Sequence, residues 1–351
     1  MRAFRCGGWR SDEPQHLVIV TERALLVWLA ASAVAPWLHL DRWPVAMLLT
    51  YPPRLPYAAA ALVLTMLSRR RRQRGMAIVG SLTTLVLLAT AGWGGATLQP
   101  ARPAVAHTDG ELGLLAFNVH NQVAAAALLR ELVDREHADI VSLQEVRVNN
   151  RKYFVAALPE FEFFWAERSP SFNPRSTGVF ASMIAIRRER IDRTAAVEVA
   201  SGITGYRTFA VRVRIDEQPL WIVGVHATKP FWTEEGLWVL ATTAPGTARW
   251  HYEERDRLLK WIAVHADAPV VLAGDFNAPL YSRNMRLAGL HDAHRDVGHG
   301  PHLTFPAVFP VWGIDHVLGD ARVQFSDYRI LEAGPSDHRA QFASFHVIRE
   351  R

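Results

Sequence analysis

The 26 residues from Gly75 to Pro100 carry no formal charge and are rich in Leu, Val, Ala and Gly. A run like this must be buried, in protein or in hydrocarbon, because exposed apolar surface costs about 25 cal/mol per Å². A second uncharged stretch, Ala24 to Leu40, is 17 residues long. Roughly 17 to 25 apolar residues suffice for a membrane-crossing helix, so both stretches qualify. Between them Trp43 to Leu67 is apolar but interrupted by Pro52-Pro53-Arg54-Leu55-Pro56. Asp41 to Pro56 therefore reads as an interfacial loop, and Tyr57 to Leu67 as the core of a short middle span. A cleavable signal peptide fits poorly, because the first apolar stretch begins well inside the chain and others follow.

Arg69-Arg70-Arg71-Arg72-Gln73-Arg74 lies between the second and third stretches. By the positive-inside rule this block stays in the cytoplasm. The expected organisation is then a cytoplasmic tail at 1–23 and a membrane anchor of about three transmembrane helices at 24–100. A linker at 101–110 and a globular domain at 111–351 complete it. The expected localisation is that of a multi-pass integral membrane protein, held in the lipid bilayer by its N-terminal helices, with the large domain outside the cytoplasm. The lone cysteine, Cys6, excludes an internal disulfide and a thiolate zinc site.

Charge is distributed unevenly. Residues 1–106 hold 12 Lys+Arg against 4 Asp+Glu, whereas residues 107–351 hold 27 against 30. The basic excess belongs to the N-terminal region, and the remainder lacks the basic surface common in nucleic-acid binders. From Glu111 onward, strands and helices alternate irregularly with hairpin-like neighbours, which predicts a mixed-sheet α/β sandwich. Strands are expected at Leu112–Phe117, Asp139–Leu143, Thr177–Ile186, Tyr206–Ile215, Leu220–His226, Val270–Ala273, Val311–Leu318, Val323–Ile330 and Gln341–Ile348. Helices are expected at Gln122–Glu136, Tyr153–Leu158 and Thr247–Ala266.

Polar groups recur at the tips of these apolar strands. Asn118 ends the first and Glu145 the second, His226 ends Trp221-Ile222-Val223-Gly224-Val225, and Asp275 with Asn277 follows Val270-Val271-Leu272-Ala273-Gly274. Asp315 lies in Gly313-Ile314-Asp315-His316-Val317, and Asp337-His338 precedes the last strand. Each alone reads as turn chemistry. Brought together, oxygen ligands without thiolates suit a hard cation, Mg²⁺ or Mn²⁺, and a histidine beside a carboxylate suits acid–base work on water. That combination describes metal-assisted hydrolysis of a phosphoester. His120 and His316 read as structural. His291, His294, His299 and His302 read as a solvated, Gly-containing loop, with a soft-metal site as the other reading.

Leu114-Leu115-Ala116-Phe117-Asn118-Val119, Asp139-Ile140-Val141-Ser142-Leu143-Gln144-Glu145-Val146, Gly274-Asp275-Phe276-Asn277, Ile314-Asp315-His316-Val317 and Ser336-Asp337-His338-Arg339 resemble, in order, the signature motifs of the endonuclease/exonuclease/phosphatase superfamily. The apolar N-terminus resembles that of a bacterial membrane-anchored branch. The resemblance implies a four-layer α/β/β/α sandwich of the deoxyribonuclease I type. It implies Glu145 as main metal ligand with Asn118 and Asp337, for Mg²⁺ or Mn²⁺. Asp275 and Asn277 would position water and phosphate. His338 paired with Asp315 would be general base or phosphate-polarising group, and His226 would protonate or hydrogen-bond the leaving group. Two departures stand out: Val179 to Met183 match loosely, and Ala340 replaces a common proline. The implied activity is phosphodiester hydrolysis of the endonuclease type. A phospholipid or inositol-phosphate phosphatase or phospholipase C-like enzyme, and a catalytically silent binding protein, are the alternatives.

Overall fold

The computed structural model describes residues 13–38, 47, 49–94, 110–167, 180–192, 194–204, 208–229 and 237–348. Most of the expected tail and linker, and the start of the interfacial loop, lie outside these residues.

Two six-stranded sheets form the large domain. The first runs β11(Val323–Ile330)-β12(Gln341–Val347)-β1(Glu111–Asn118)-β2(Ile140–Arg147)-β4(Phe180–Arg187)-β3(Phe161–Glu167). The second runs β5(Glu198–Ala200)-β6(Phe209–Ile215)-β7(Gln218–His226)-β8(Val270–Asp275)-β10(Asp315–Asp320)-β9(Leu290–Asp292). Each sheet contains one parallel pair, β1 with β2 and β7 with β8, among antiparallel neighbours. Side chains alternate across a strand, and β1 shows the consequence. Leu114 and Ala116 pack between the sheets with Ile184, Phe209, Ile222 and Val271. Leu115 and Phe117 face the other way, in one cluster with Leu129, Leu132 and Val133 of helix α4 (Ala125–Glu136) and Phe154 of helix α5 (Arg151–Ala157). On the outer face of the second sheet, Leu258 of α6 (Leu237–Val264) meets Trp221, Val223, Val270 and Leu272. Helices thus cover the outer face of each sheet. Both central strands, β1 and β8, are buried at every position, as expected of strands covered on both sides.

The N-terminal region departs from expectation. Its helices are α1 (Glu13–Val34), α2 (Arg54–Arg70) and α3 (Arg74–Ala89). Among the described residues no helix is long and apolar enough to cross a membrane. The expected multi-pass anchor, its bilayer partner and the orientation built on it are therefore corrected. The reason is local. Of the uncharged run Gly75–Pro100, only the part to Ala89 is helical, and the 16 residues of α3 extend about 24 Å, short of a hydrocarbon core of about 30 Å. Gly92 (φ 77°) then turns the chain, and Gly94 N donates to Gly300 O (2.8 Å) while His302 N donates to Gly92 O (3.0 Å). In α1, Glu22 and Arg23 interrupt the apolar course, and Glu22 pairs with Arg71 beyond α2. The three helices pack on one another through Leu26, Leu29, Ala33, Ala58, Ala61, Leu64 and Leu87.

This bundle is fastened to the large domain. Trp312 Nε1 donates to Tyr51 O (2.8 Å), Tyr281 Oη to Pro52 O (2.9 Å) and Asn284 Nδ2 to Tyr51 Oη (3.1 Å). The buried Arg54 guanidinium donates to Ser32 O (2.6 Å) and stacks 4.2 Å from the Tyr281 ring centre. Burial pushes the Arg54 guanidinium below its ordinary value and the Tyr281 phenol above its own. Arg54→Ala is expected to cost about 3 kcal/mol, because it leaves buried carbonyls unpaired and a cavity beside Tyr281. Urea unfolding of the full chain measures it.

Buried histidines make stability pH-dependent. Burial pushes His251 down to about 4, and likewise lowers His294 and His302. The native protein keeps these rings neutral at a pH where the unfolded chain, titrating near 6.5, takes up protons. Stability contributed by their neutral forms is thus intact above about pH 6.5 and is lost as pH falls toward 4. For His251 alone the loss approaches about 3 kcal/mol. Unfolding curves at pH 7 and pH 4.5 should show the drop, and His251→Phe should reduce it.

Candidate active site

In a parallel pair the C-terminal strand ends share one edge, and an antiparallel neighbour starts at that same edge. Both sheets obey this arrangement. Asn118 and Glu145 come from the ends of β1 and β2, and His226 and Asp275 are register partners at the ends of β7 and β8. Asp315 opens β10 directly opposite Asp275. Ser336 to His338 lead into β12, where Gln341 pairs with Ala116 of β1. Ser336 Oγ donates to Asn118 O (2.6 Å) and accepts from His338 N (3.1 Å), which fixes the approach to β12. One rim of the sandwich therefore gathers all eight expected residues.

Their contacts are mutual. His338 Nδ1 lies 3.0 Å from each Asp315 oxygen, and His338 Nε2 is 3.8 Å from Asp275 Oδ2. Asn118 Nδ2 donates to Asp275 Oδ2 (3.1 Å). Asn277 N donates to Asp275 Oδ1 (2.8 Å), and Asn277 Nδ2 to Ala227 O (2.9 Å). His226 Nε2 is 3.4 Å from Glu145 Oε1 and 4.0 Å from Asp275 Oδ2. Asp275, Asp315 and His338, all buried, offer ligand atoms within 4.8 Å of one another, a group that could hold a metal ion. Asp337 and Glu145 stand at the open side, with 34% and 15% of their side chains exposed.

The profile of the Endonuclease/Exonuclease/phosphatase family matches residues 115–338, a span that holds every one of these groups. The chain belongs to this family. It is a phosphoesterase hydrolase of the endonuclease/exonuclease/phosphatase group. Solved structures share the fold. A family member from Bacteroides vulgatus is 16% identical with TM-score 0.52, covering 68% of this chain and 99% of its own. A humanized D. rerio TDP2 with 14 mutations is 18% identical with TM-score 0.51, covering 68% and 100%. A mannosyl-6-phosphatase from Bacteroides thetaiotaomicron is 14% identical with TM-score 0.51, covering 67% and 99%. Among curated proteins none matches the chain. Membership of the family stands, while its membrane-anchored branch has no support, since among the described residues no helix is long and apolar enough to cross a membrane.

Backbone conformation at this family site is unusual at several residues. Glu145 and Asn277 have φ of 58° and 49°, in the left-handed region that non-glycine residues seldom adopt. Such conformations cluster where function demands a particular side-chain direction. At Glu145 the cause is visible, since the β2–β4 register shifts between Leu143 and Val146 and the bulge turns the carboxylate toward the rim. Gly274 (φ 142°) is a second special point, because a Cβ there would sit 2.1 Å from Val225 O and 2.7 Å from Gln144 Nε2. Gly274→Ala is expected to cost at least about 3 kcal/mol and to displace Asp275. Chemical unfolding together with residual activity checks it.

Electrostatics follow from burial and neighbours. Burial and the facing Asp315 raise Asp275 above the ordinary carboxylate range, with His338 opposing. Burial disfavours the charged His338 ring, yet Asp315 and Asp275 outweigh it and lift His338 to about 9. Asp337 is held low despite its burial, chiefly by the His120 and His338 rings.

Three histidine readings change. His120, read as structural, lies in the site, its Nδ1 3.0 Å from Asp337 Oδ1 and 3.8 Å from Glu145 Oε2. Its position two residues after Asn118 was the available signal. His294 and His302 are not in a solvated loop: they are buried and stack with ring centres 4.7 Å apart, beside β9 and helix α7 (Ala293–Val297). His316 is structural, facing Asp292 Oδ2 (3.1 Å) and Ala278 O (2.9 Å).

Proposed function

We propose that the protein hydrolyses a phosphodiester, in the manner of an endonuclease, by in-line attack of a water molecule with a divalent cation, Mg²⁺ or Mn²⁺, held by Glu145, Asp337 and Asn118. The observation that carries this reading is the division of the rim into two unlike halves. In one, His338 and Asp315 satisfy each other. In the other, the buried Asp337 Oδ1 meets no aligned hydrogen-bond donor among the described residues, only the His120 ring nitrogen at 3.0 Å, which fits a carboxylate with lone pairs left for a cation. Bound there, the cation would neutralise phosphate charge and acidify water.

The remaining roles belong to the protein's own groups. Asp275, fixed by Asn118 and Asn277, accepts a hydrogen bond from water and aims it. Asn277 holds that aspartate with its backbone N–H and steadies the phosphate approach. Asp315 fixes the His338 ring through Nδ1, so that Nε2 faces the space beside Asp275 and exchanges the proton. His226, adjacent to Glu145 and Asp275, donates to the leaving oxygen. A structure of D. rerio TDP2, 17% identical, was solved with a single-strand DNA product, and a mannosyl-6-phosphatase shares the fold, so nucleic acid and phosphomonoesters both belong among the substrates to test.

Supercoiled and single-stranded DNA, RNA, bis(p-nitrophenyl) phosphate, p-nitrophenyl phosphate, phosphatidylinositol phosphates and sphingomyelin, each with Mg²⁺ or EDTA, separate the substrates. Metal-dependent cleavage of nucleic acid and the synthetic diester is expected. Release of phosphate from monoesters alone would overturn the diester reading.

A further inference from the structure

His120 sits where β1 ends, in a segment bent back on itself. His120 and Asn121 have φ of 43° and 57°, and Asn118 Oδ1 accepts a hydrogen bond from His120 N (3.0 Å). This turn sends the imidazole across the rim to the two carboxylates on its open side. Nδ1 comes to 3.0 Å from Asp337 Oδ1 and 3.8 Å from Glu145 Oε2. The Asp337 oxygen nevertheless accepts no hydrogen bond from a described residue, so the ring nitrogen and the oxygen are close without being aligned on each other. Around an octahedral ion with bonds of about 2.1 Å, adjacent ligand atoms are about 3 Å apart and opposite ones about 4.2 Å apart. The 3.0 Å separation matches adjacent ligands, and the 3.8 Å one lies about 0.4 Å short of opposite ligands.

We propose that His120 supplies a nitrogen ligand to the cation site of Glu145 and Asp337, and that this ligand makes the site favour Mn²⁺ or a later first-row ion over Mg²⁺. The inference rests on the assignment of the cation to Glu145 and Asp337 made above. Carboxylate and water oxygens serve Mg²⁺ and Mn²⁺ alike, whereas imidazole suits Fe, Ni, Cu and Zn, the first-row series that Mn²⁺ opens and to which Mg²⁺ does not belong. One nitrogen in an oxygen set is therefore a selectivity device.

His120→Asn is the informative variant, because asparagine tolerates the left-handed backbone and exchanges the nitrogen donor for a carboxamide. Mn²⁺ and Mg²⁺ affinities of the full chain are measured by calorimetry, and bound Mn²⁺ by pulsed electron paramagnetic resonance. Wild type should show coupling to an imidazole ¹⁴N that persists in His338→Ala and disappears in His120→Asn. The Mn²⁺/Mg²⁺ affinity ratio should fall at least about 10-fold in His120→Asn. An unchanged ratio with the ¹⁴N coupling retained in His120→Asn would overturn the ligand assignment while leaving the cation site intact. Unaltered Mn²⁺ binding in Glu145→Gln would instead overturn the site itself.

Discussion

Glu145→Gln is expected to lower kcat for a phosphodiester by more than about 100-fold, since loss even of an outer-shell partner typically costs 10- to 100-fold. The carboxamide keeps the size of the side chain and removes the charge that would hold the cation. Its bulged, left-handed position, with φ of 58°, remains available to Gln, and the residue is only partly buried, so folding should be little affected. Metal affinity and kcat should fall together, and excess Mn²⁺ should restore part of the rate. A variant with full kcat at ordinary metal concentration would remove Glu145 from the cation site.

Asp315→Asn should be comparably severe for a different reason. Both Asp315 oxygens face His338 Nδ1 at 3.0 Å, so the carboxylate fixes the ring and stabilises its charged form. Asparagine can hold the ring but not its charge, and the expected loss in kcat is about 10²- to 10⁴-fold. Metal binding should be nearly unchanged, in contrast to Glu145→Gln. That contrast separates the proton-handling half of the rim from the cation half. Loss of Mn²⁺ affinity in Asp315→Asn with none in Glu145→Gln would place the ion instead among Asp275, Asp315 and His338, the other group able to hold one.

The site was legible in the sequence because each of its groups ends or begins an apolar strand. Val270 to Ala273 announce β8, and once the strands pair, Asp275, His226 and Asp315 must meet at one edge. The strands that carry no chemistry were harder. Phe161–Glu167 and Leu290–Asp292 were not expected at all, and Val311 with Trp312 was assigned to the strand that starts only at Asp315. Trp312 instead bridges to Phe305 and donates to Tyr51 O, long-range contacts that periodicity does not reveal. The helix expected from Thr247 to Ala266 starts earlier, at Leu237, and ends at Val264. The N-terminal region misled most. An uncharged run has the same composition whether lipid or protein covers it, and what decides is where the helix stops. Ala89 and the Gly92 turn stop α3 before it could span a bilayer. His120 was passed over because its partners, Glu145 and Asp337, lie far along the chain.

The most direct measurement is hydrolysis of bis(p-nitrophenyl) phosphate by the full chain after metal removal. Stripped protein should be inactive in EDTA and regain turnover when Mg²⁺ or Mn²⁺ is returned, whereas Glu145→Gln treated in the same way should stay inactive at the metal concentration that saturates wild type. Undiminished turnover by the stripped protein in EDTA would contradict the account.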